Sequence, residues 1–414
     1  MDFVAVISHL FSEFFSGNAT SVVRLMFHYG WYWVPPVLIV GFWNAYRLYT
    51  LFQYTSSMEW VLLEIKLPRE ILKSPLAMEV VLGAFHQTRD ATWWTQITTG
   101  FRRAWFSLEI ASFGGSVHFF IRTPKFFRTL VESNIYSQYP GIEIHEAPDY
   151  VYSADYKTPD SKDNMWGGEF ILTKDDPYPI KTYVDYGLDR DPKEEFKNDP
   201  ITPIIEFLGS IKPGHQIWVQ ILIQAAKKRY RKKDGSLGDW KDQGEDLINK
   251  MMKRDEKPKE GEFKFTVLSS TEKDVTEAIA RSINKLGFDC GIRTIYITEK
   301  DKFEHINFVG IIALFKQFSS TGLNGFKPNN MTNINYPWQD PFGFRIARMK
   351  RKYSVPIDTE DIFILPLKKV SHLSSTQRSL LRFITFLGEF LKRLPLDVLR
   401  AVGGNRPVIY HYKI

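Results

Sequence analysis

The sequence predicts an α+β protein: an N-terminal transmembrane helix followed by two ferredoxin-like (split βαβ) modules, the second read as a divergent duplicate of the first. Three observations predict it. Period-two apolar runs alternate with segments of helical period. Proline follows serine or threonine where two of the helices should begin. An uncharged aromatic-rich stretch lies near the start. The chain has 414 residues, with 44% hydrophobic and 24% charged side chains, which is ordinary globular composition and length for two or three domains. The net charge of +7 suits an anionic lipid surface or nucleic acid, or simple solubility. A single cysteine, Cys290, excludes an internal disulfide and a cysteine-based zinc site. It is expected as a buried thiol at the start of a strand.

Residues 1–28 are read as an amphipathic segment, with Phe3, Ile7, Leu10, Phe11 and Phe14 among few charges, which suits either an interfacial helix or a partner contact. Residues 29–52 are read as the transmembrane helix. No charge occurs from Gly30 to Tyr46, close to the minimum for a hydrocarbon core of about 30 Å. Trp31 and Trp33 stand at one end, and Trp43 and Tyr46 at the other, as an aromatic belt requires, with Arg47 free to reach the headgroups. Pro35 and Pro36 fit a first turn or a kink. Arg47, Lys66, Arg69 and Lys73 follow the segment and Arg24 precedes it, which places the C-terminal region in the cytoplasm.

Residues 58–150 carry the first module. Trp60–Leu67 reads as a strand, and Ser74-Pro75 opens a helix with Ala77, Val80, Val81, Ala84 and Phe85 on one face. Ala104–Ser112 and Val117–Arg122 form a hairpin about Gly114-Gly115. Thr123-Pro124 starts a second helix, and Ile142–Glu146 closes the order β-α-β-β-α-β. Residues 151–213 read as a connector. Residues 214–330 read as the second module, with a strand at Gln216–Ile223, a charged insertion at 227–260, and a helix opened by the capping box Ser269-x-x-Glu272. A strand at 291–297 and an apolar helix at 303–318 follow. Residues 331–414 form an extension with an amphipathic helix at 375–394, which packs on the body or rests on a membrane or partner.

No motif for chemistry stands out. Gly235-Ser236-Leu237-Gly238 and Gly322-Leu323-Asn324-Gly325 lack the lysine and hydroxyl of a phosphate loop and read as turns. No histidine pair has zinc-protease spacing, and no Gly-x-Ser-x-Gly elbow occurs. Glu64 and Glu109 are placed on neighbouring strands, where a solvated face explains them better than an acid/base pair. The expectation is therefore a non-enzyme without cofactor or metal. For nucleic acid, Phe106, Phe119 and Trp218 are candidate stacking rings on a sheet face. Lys227, Lys228, Arg229, Arg231, Lys232 and Lys233 are candidate contacts to phosphates or lipid.

Several segments resemble a known family. These are Trp60–Pro68 with Lys73-Ser74-Pro75-Leu76-Ala77-Met78-Glu79, Phe106–Ile110, His118–Pro124, Glu132–Pro140, and Asp199-Pro200 with Gly214-x-Gln216-Ile-Trp-Val-Gln220. They are similar to the N-terminal, non-motor regions of HerA-like type IV secretion and conjugation ATPases of candidate-phyla bacteria, over residues 58–330. Those ATPases continue into a Walker motor that this chain lacks. The resemblance implies a membrane-anchored scaffold or adaptor that docks a separate HerA-like ATPase and other secretion components and assembles as a homo-oligomer. It carries over no catalytic residue. A membrane-tethered nucleic-acid-binding protein is the second reading.

Overall fold

A computed structural model describes residues 30–68, 75–154, 162–188, 199–232, 234–254, 269–332, 340 and 344–353. The expectations for residues 1–28, for Ser74, Lys233 and 255–260, and for the helix at 375–394 lie outside the described residues. The chain divides into two compact units, residues 1–49 with 364–414, and residues 50–363.

In the first unit the described residues belong to helix α1 (Gly30–Ser56), which holds Pro35 and Pro36 in its early turns and continues into the second unit. The expected helix is present, but no helix among the described residues is long and apolar enough to cross a membrane. The uncharged stretch contains only one uninterrupted apolar run, Val37–Trp43. At 1.5 Å per residue it spans roughly 10 Å. Pro35, Pro36 and Asn44 interrupt the rest of it, and Arg47 and Thr50 follow. Counting uncharged residues overstated the apolar length, because tyrosine and tryptophan favour the interface over hydrocarbon.

The second unit is built on one eight-stranded sheet with every neighbouring pair antiparallel. Its long strands are β1 (Trp60–Lys66), β2 (Trp105–Phe113), β3 (Ser116–Pro124), β4 (Glu143–Ala147), β5 (Asp163–Leu172) and β6 (His215–Ala225). A small hairpin, β7 (Tyr230–Arg231) and β8 (Leu237–Gly238), stands apart from the sheet, and β9 (Phe288–Glu299) and β10 (Phe326–Asn329) complete it. The order across the sheet is β10-β5-β9-β6-β2-β3-β1-β4. Outward from the β2–β6 seam, each side presents the second, third, first and fourth large strand of its half.

Two glycines at positive φ, Gly114 (58°) and Gly115 (94°), close the β2–β3 turn, as their lack of a Cβ permits. Thr123-Pro124 ends β3 instead of capping a helix; a short 3₁₀ turn at Lys125–Phe127 precedes α4 (Arg128–Gln138). With α2 (Leu76–Phe85), α4 covers one sheet face, burying Val81, Phe85, Val131 and Ile135 on Val61, Leu63, Phe106 and Ile121. Val80, expected in that core, is exposed. On the same face of the other half, Leu208 of α5 (Thr202–Gly209) and Ile311 of α8 (His305–Leu314) pack on Trp166, Ile217, Val219 and Tyr296.

The opposite face is covered too. Tyr150, Val151 and Ala154 lie over Leu62, Ala111, Phe120 and Trp218, beside Tyr353 of α9 (Phe344–Tyr353). Phe106 and Trp218 are thus fully buried, and the stacking role expected of them is corrected. A single strand's pattern does not reveal that both faces will be covered.

Residues 151–213, read as a connector, supply β5 and α5, so the second half begins well before residue 214. Gly167-Gly168 disguised the strand. A Cβ on Gly167 would lie 2.6 Å from the Tyr353 ring, and one on Gly168 would lie 3.2 Å from the Trp166 ring. The charged insertion forms the β7–β8 hairpin and α6 (Trp240–Met251), opened by a capping box of Asp239 and Asp242. The box at Ser269 and Glu272 does open α7 (Ser270–Ile283). Cys290, expected buried, is exposed near the start of β9.

Candidate functional site

Period-two alternation puts Glu109 of β2, Gln220 of β6, Arg293 of β9 and Glu169 of β5 in one row on the face that Tyr150 covers. Glu109 pairs with Gln220, Gln220 with Arg293, and Arg293 with Glu169. Glu109, Gln220 and Arg293 are buried, as is Arg122 of β3. Buried polar groups need partners, and these have them. Arg122 Nε donates to Glu109 Oε1 at 3.2 Å, and its two terminal nitrogens donate to Asp149 at 2.8 and 2.9 Å. The Tyr150 hydroxyl donates to Glu109 Oε2, which also accepts from Gln220 Nε2 at 3.2 Å. Gln220 Nε2 donates to the Tyr150 oxygen at 2.7 Å, and Arg293 Nε donates to Gln220 Oε1 at 2.6 Å.

Burial, then the Glu109 carboxylate, raises the Tyr150 hydroxyl well above the usual tyrosine range. Although burial alone would lower it, the Arg122 guanidinium is raised by Glu109 and Asp149. Both groups therefore keep their protons at neutral pH. The arrangement is a polar clamp that holds the β2–β6 seam in register, and its groups are bonded to one another.

Glu64 and Glu109 do not meet: β3 lies between their strands, and Phe120 pairs with both. Glu64 instead bonds His118 Nδ1 at 2.7 Å. His145 sits on edge strand β4 beside Glu143. Sequence reasoning missed Asn324, read as part of a turn. It is fully buried, and its Oδ1 accepts from Thr173 N, Lys174 N and Gly325 N at 3.1, 2.8 and 2.9 Å. Its Nδ2 donates to the carbonyls of Asp175 and Tyr178 at 3.1 and 3.0 Å. Among the described residues no group of three or more His, Cys, Asp or Glu is placed to hold a metal ion.

In α1, Trp43 and Arg47 are exposed, Tyr46 and Pro35 are half-buried, and Pro36 is exposed. The Trp31 and Trp33 side chains lie outside the described set. Leu38, Ile39, Val40, Phe42, Leu48 and Phe52 are exposed as well, so α1 presents apolar and aromatic side chains along its length. The basic run is not a row of free cations. Arg229 bonds Asp289 at 2.7 Å and Lys232 bonds Asp242 at 2.5 Å, while Lys228 and Arg231 are exposed. Burial, with Arg102, Arg229 and Arg103 close by, lowers the Lys227 ammonium.

No curated protein and no solved structure matches the chain. A family model described as a domain of unknown function, DUF8128, matches residues 52–328. The matched stretch starts within α1 and stops in β10, so it takes in every strand of the sheet, the seam and the polar clamp. With about two thirds of its length covered, the chain belongs to the DUF8128 family.

Proposed function

We propose that the chain is a non-enzymatic, membrane-associated scaffold, in which α1 meets the lipid surface and the sheet body docks a partner. The observation that carries the membrane part is the exposed apolar surface of α1, with Leu38, Ile39, Val40, Phe42 and Phe52 all turned to solvent. A large exposed apolar patch marks an interaction site. Arg47 and Lys66 follow on the C-terminal side, which suits the anionic cytoplasmic leaflet of a bacterial inner membrane. At 27 residues α1 is long enough for a span, and its shortfall in apolar character favours a helix lying in the interface. The polar clamp supports a structural body, because its ionisable groups bond one another.

Each half of the sheet is read as a ferredoxin-like module, on the strength of the repeated strand order and the helices covering one face. The partner follows from the sequence resemblance alone: a HerA-like ATPase of a type IV secretion or conjugation-like apparatus, with the scaffold as a homo-oligomer. Cell fractionation and co-purification test both parts. The full chain should sediment with membranes, leave them in alkaline carbonate as a surface-bound protein does, and co-purify with such an ATPase after mild detergent. An intact chain found wholly in the soluble pool refutes the membrane part. A strict monomer with no ATPase attached refutes the partner.

A further inference from the structure

Helix α3 (Trp93–Thr99) is short, and tertiary contacts hold it. Thr92 caps it, with its Oγ1 accepting from Thr95 N at 3.3 Å, and Gly100 ends it at φ 70°. Ile97 is buried, whereas Trp93 and Trp94 are 67% and 63% exposed. Their ring centroids are 6.1 Å apart with planes tilted by 41°. A Cβ on Gly100 would strike the Thr50 backbone, so the end of α1 lies directly on this turn. Tyr54 packs on Phe101 at 5.6 Å, and Arg89 lies over the Phe101 ring, 5.8 Å from its centroid. Phe52, on the same stretch of α1, is 68% exposed.

Cations gather at the same edge. Arg103 bonds Asp90, three residues before Trp93, and donates to the carbonyls of Ala225 and Ala226 at 3.1 and 2.7 Å. That brings the 226–229 turn against the approach to α3. Arg102, Arg103, Lys227 and Arg229 meet there, with Asp90 and Asp289 as the paired acids and Asp176 beside Asp289, and the exposed Arg89 and Lys228 are their neighbours along the chain. The excess is positive.

We infer that this edge is a second membrane contact, in which Trp93 and Trp94 enter the headgroup layer and the surrounding arginines and lysines bind anionic phospholipid headgroups. Indole rings favour that depth, and basic side chains beside them add attraction to anionic lipid. The inference rests on the membrane reading of α1 given above, whose final residues pack on the same turn. Single-stranded nucleic acid fits the edge less well, since two rings tilted by 41° are not a parallel platform for successive bases.

The test uses the full chain with Cys290→Ser, carrying one of three single cysteines labelled with an environment-sensitive fluorophore. Phe42→Cys reads α1, Thr98→Cys reads α3 with both tryptophans intact, and Glu143→Cys on the exposed edge strand β4 is the control. Vesicles of phosphatidylglycerol and phosphatidylcholine, with or without spin-labelled lipid, are compared with phosphatidylcholine alone. The expected result is quenching at 42 and 98 but not at 143. The signal at 98 should be stronger with anionic lipid, and should fall to the control level in Trp93→Ala/Trp94→Ala. Quenching at 42 without quenching at 98 overturns this inference and leaves the α1 reading standing. Quenching at 98 alone supports the inference and overturns the α1 reading, and quenching at neither overturns both. A label at 98 that ignores vesicles but responds to single-stranded DNA also overturns the inference.

Discussion

Replacing Glu109 with alanine should be among the most damaging single changes in the sheet. Three donors converge on this fully buried carboxylate: Arg122 Nε, the Tyr150 hydroxyl and Gln220 Nε2. Truncation leaves Arg122, only 3% exposed, with Asp149 as its remaining carboxylate. Breaking a buried ion pair from one side costs about 3–5 kcal/mol, because the surviving charge stays desolvated. Tyr150→Phe removes a hydrogen bond to a charged acceptor together with the one accepted from Gln220, and should cost about 1.5–3 kcal/mol. The two changes share a network, so their costs should not add. The double variant should fall short of the sum by about 0.5–3 kcal/mol. Urea unfolding followed by tryptophan fluorescence measures all three, since the Trp218 ring stands edge-on to Tyr150 at 4.9 Å. A loss below about 1 kcal/mol for Glu109→Ala, or strict additivity, would refute the reasoning.

Three further outcomes follow from named contacts. Tyr150 holds its proton above the ordinary value of 10.0, so its contribution is complete below about pH 10 and declines as pH rises beyond it; unfolding midpoints measured above pH 10 should fall more steeply for the native chain than for Tyr150→Phe. Gly167→Ala would press a methyl group into the Tyr353 ring, so hydrogen exchange should quicken in residues 344–353 while β6 and β9 stay protected. Asn324→Ala leaves the Lys174 and Gly325 amides and the Tyr178 carbonyl short of a partner, while Thr173 N keeps Gly325 O and Asp175 O keeps Tyr178 N, and should lower stability by about 2–4 kcal/mol, with exchange quickening first at residues 173–178.

All four strands of the first half were legible in the sequence, because Phe106–Ile110 alternates, Gly114-Gly115 marks the hairpin and Pro140-Gly141 precedes the last strand. It hid β5, where the two glycines make sense only with Tyr353 and Trp166 in place, one of them far along the chain. Alternation also placed Glu64 and Glu109 on one face correctly but said nothing about strand order, so β3 between them was invisible. The polar clamp was legible as odd polar residues in apolar strands, and its closure by Tyr150 from the next segment was not. In α1 the helix was legible, while its apolar length was overread from the absence of charge.

The β2–β6 seam has a consequence for how the chain can be divided. Without its partner, either half would present a naked ladder of amides and carbonyls, nine residues long on β2 or eleven on β6. Such a rim recruits whatever strand it meets. A polypeptide nicked between residues 154 and 163 should therefore stay one particle, and the separately made pieces should recombine with each other in preference to clumping with themselves.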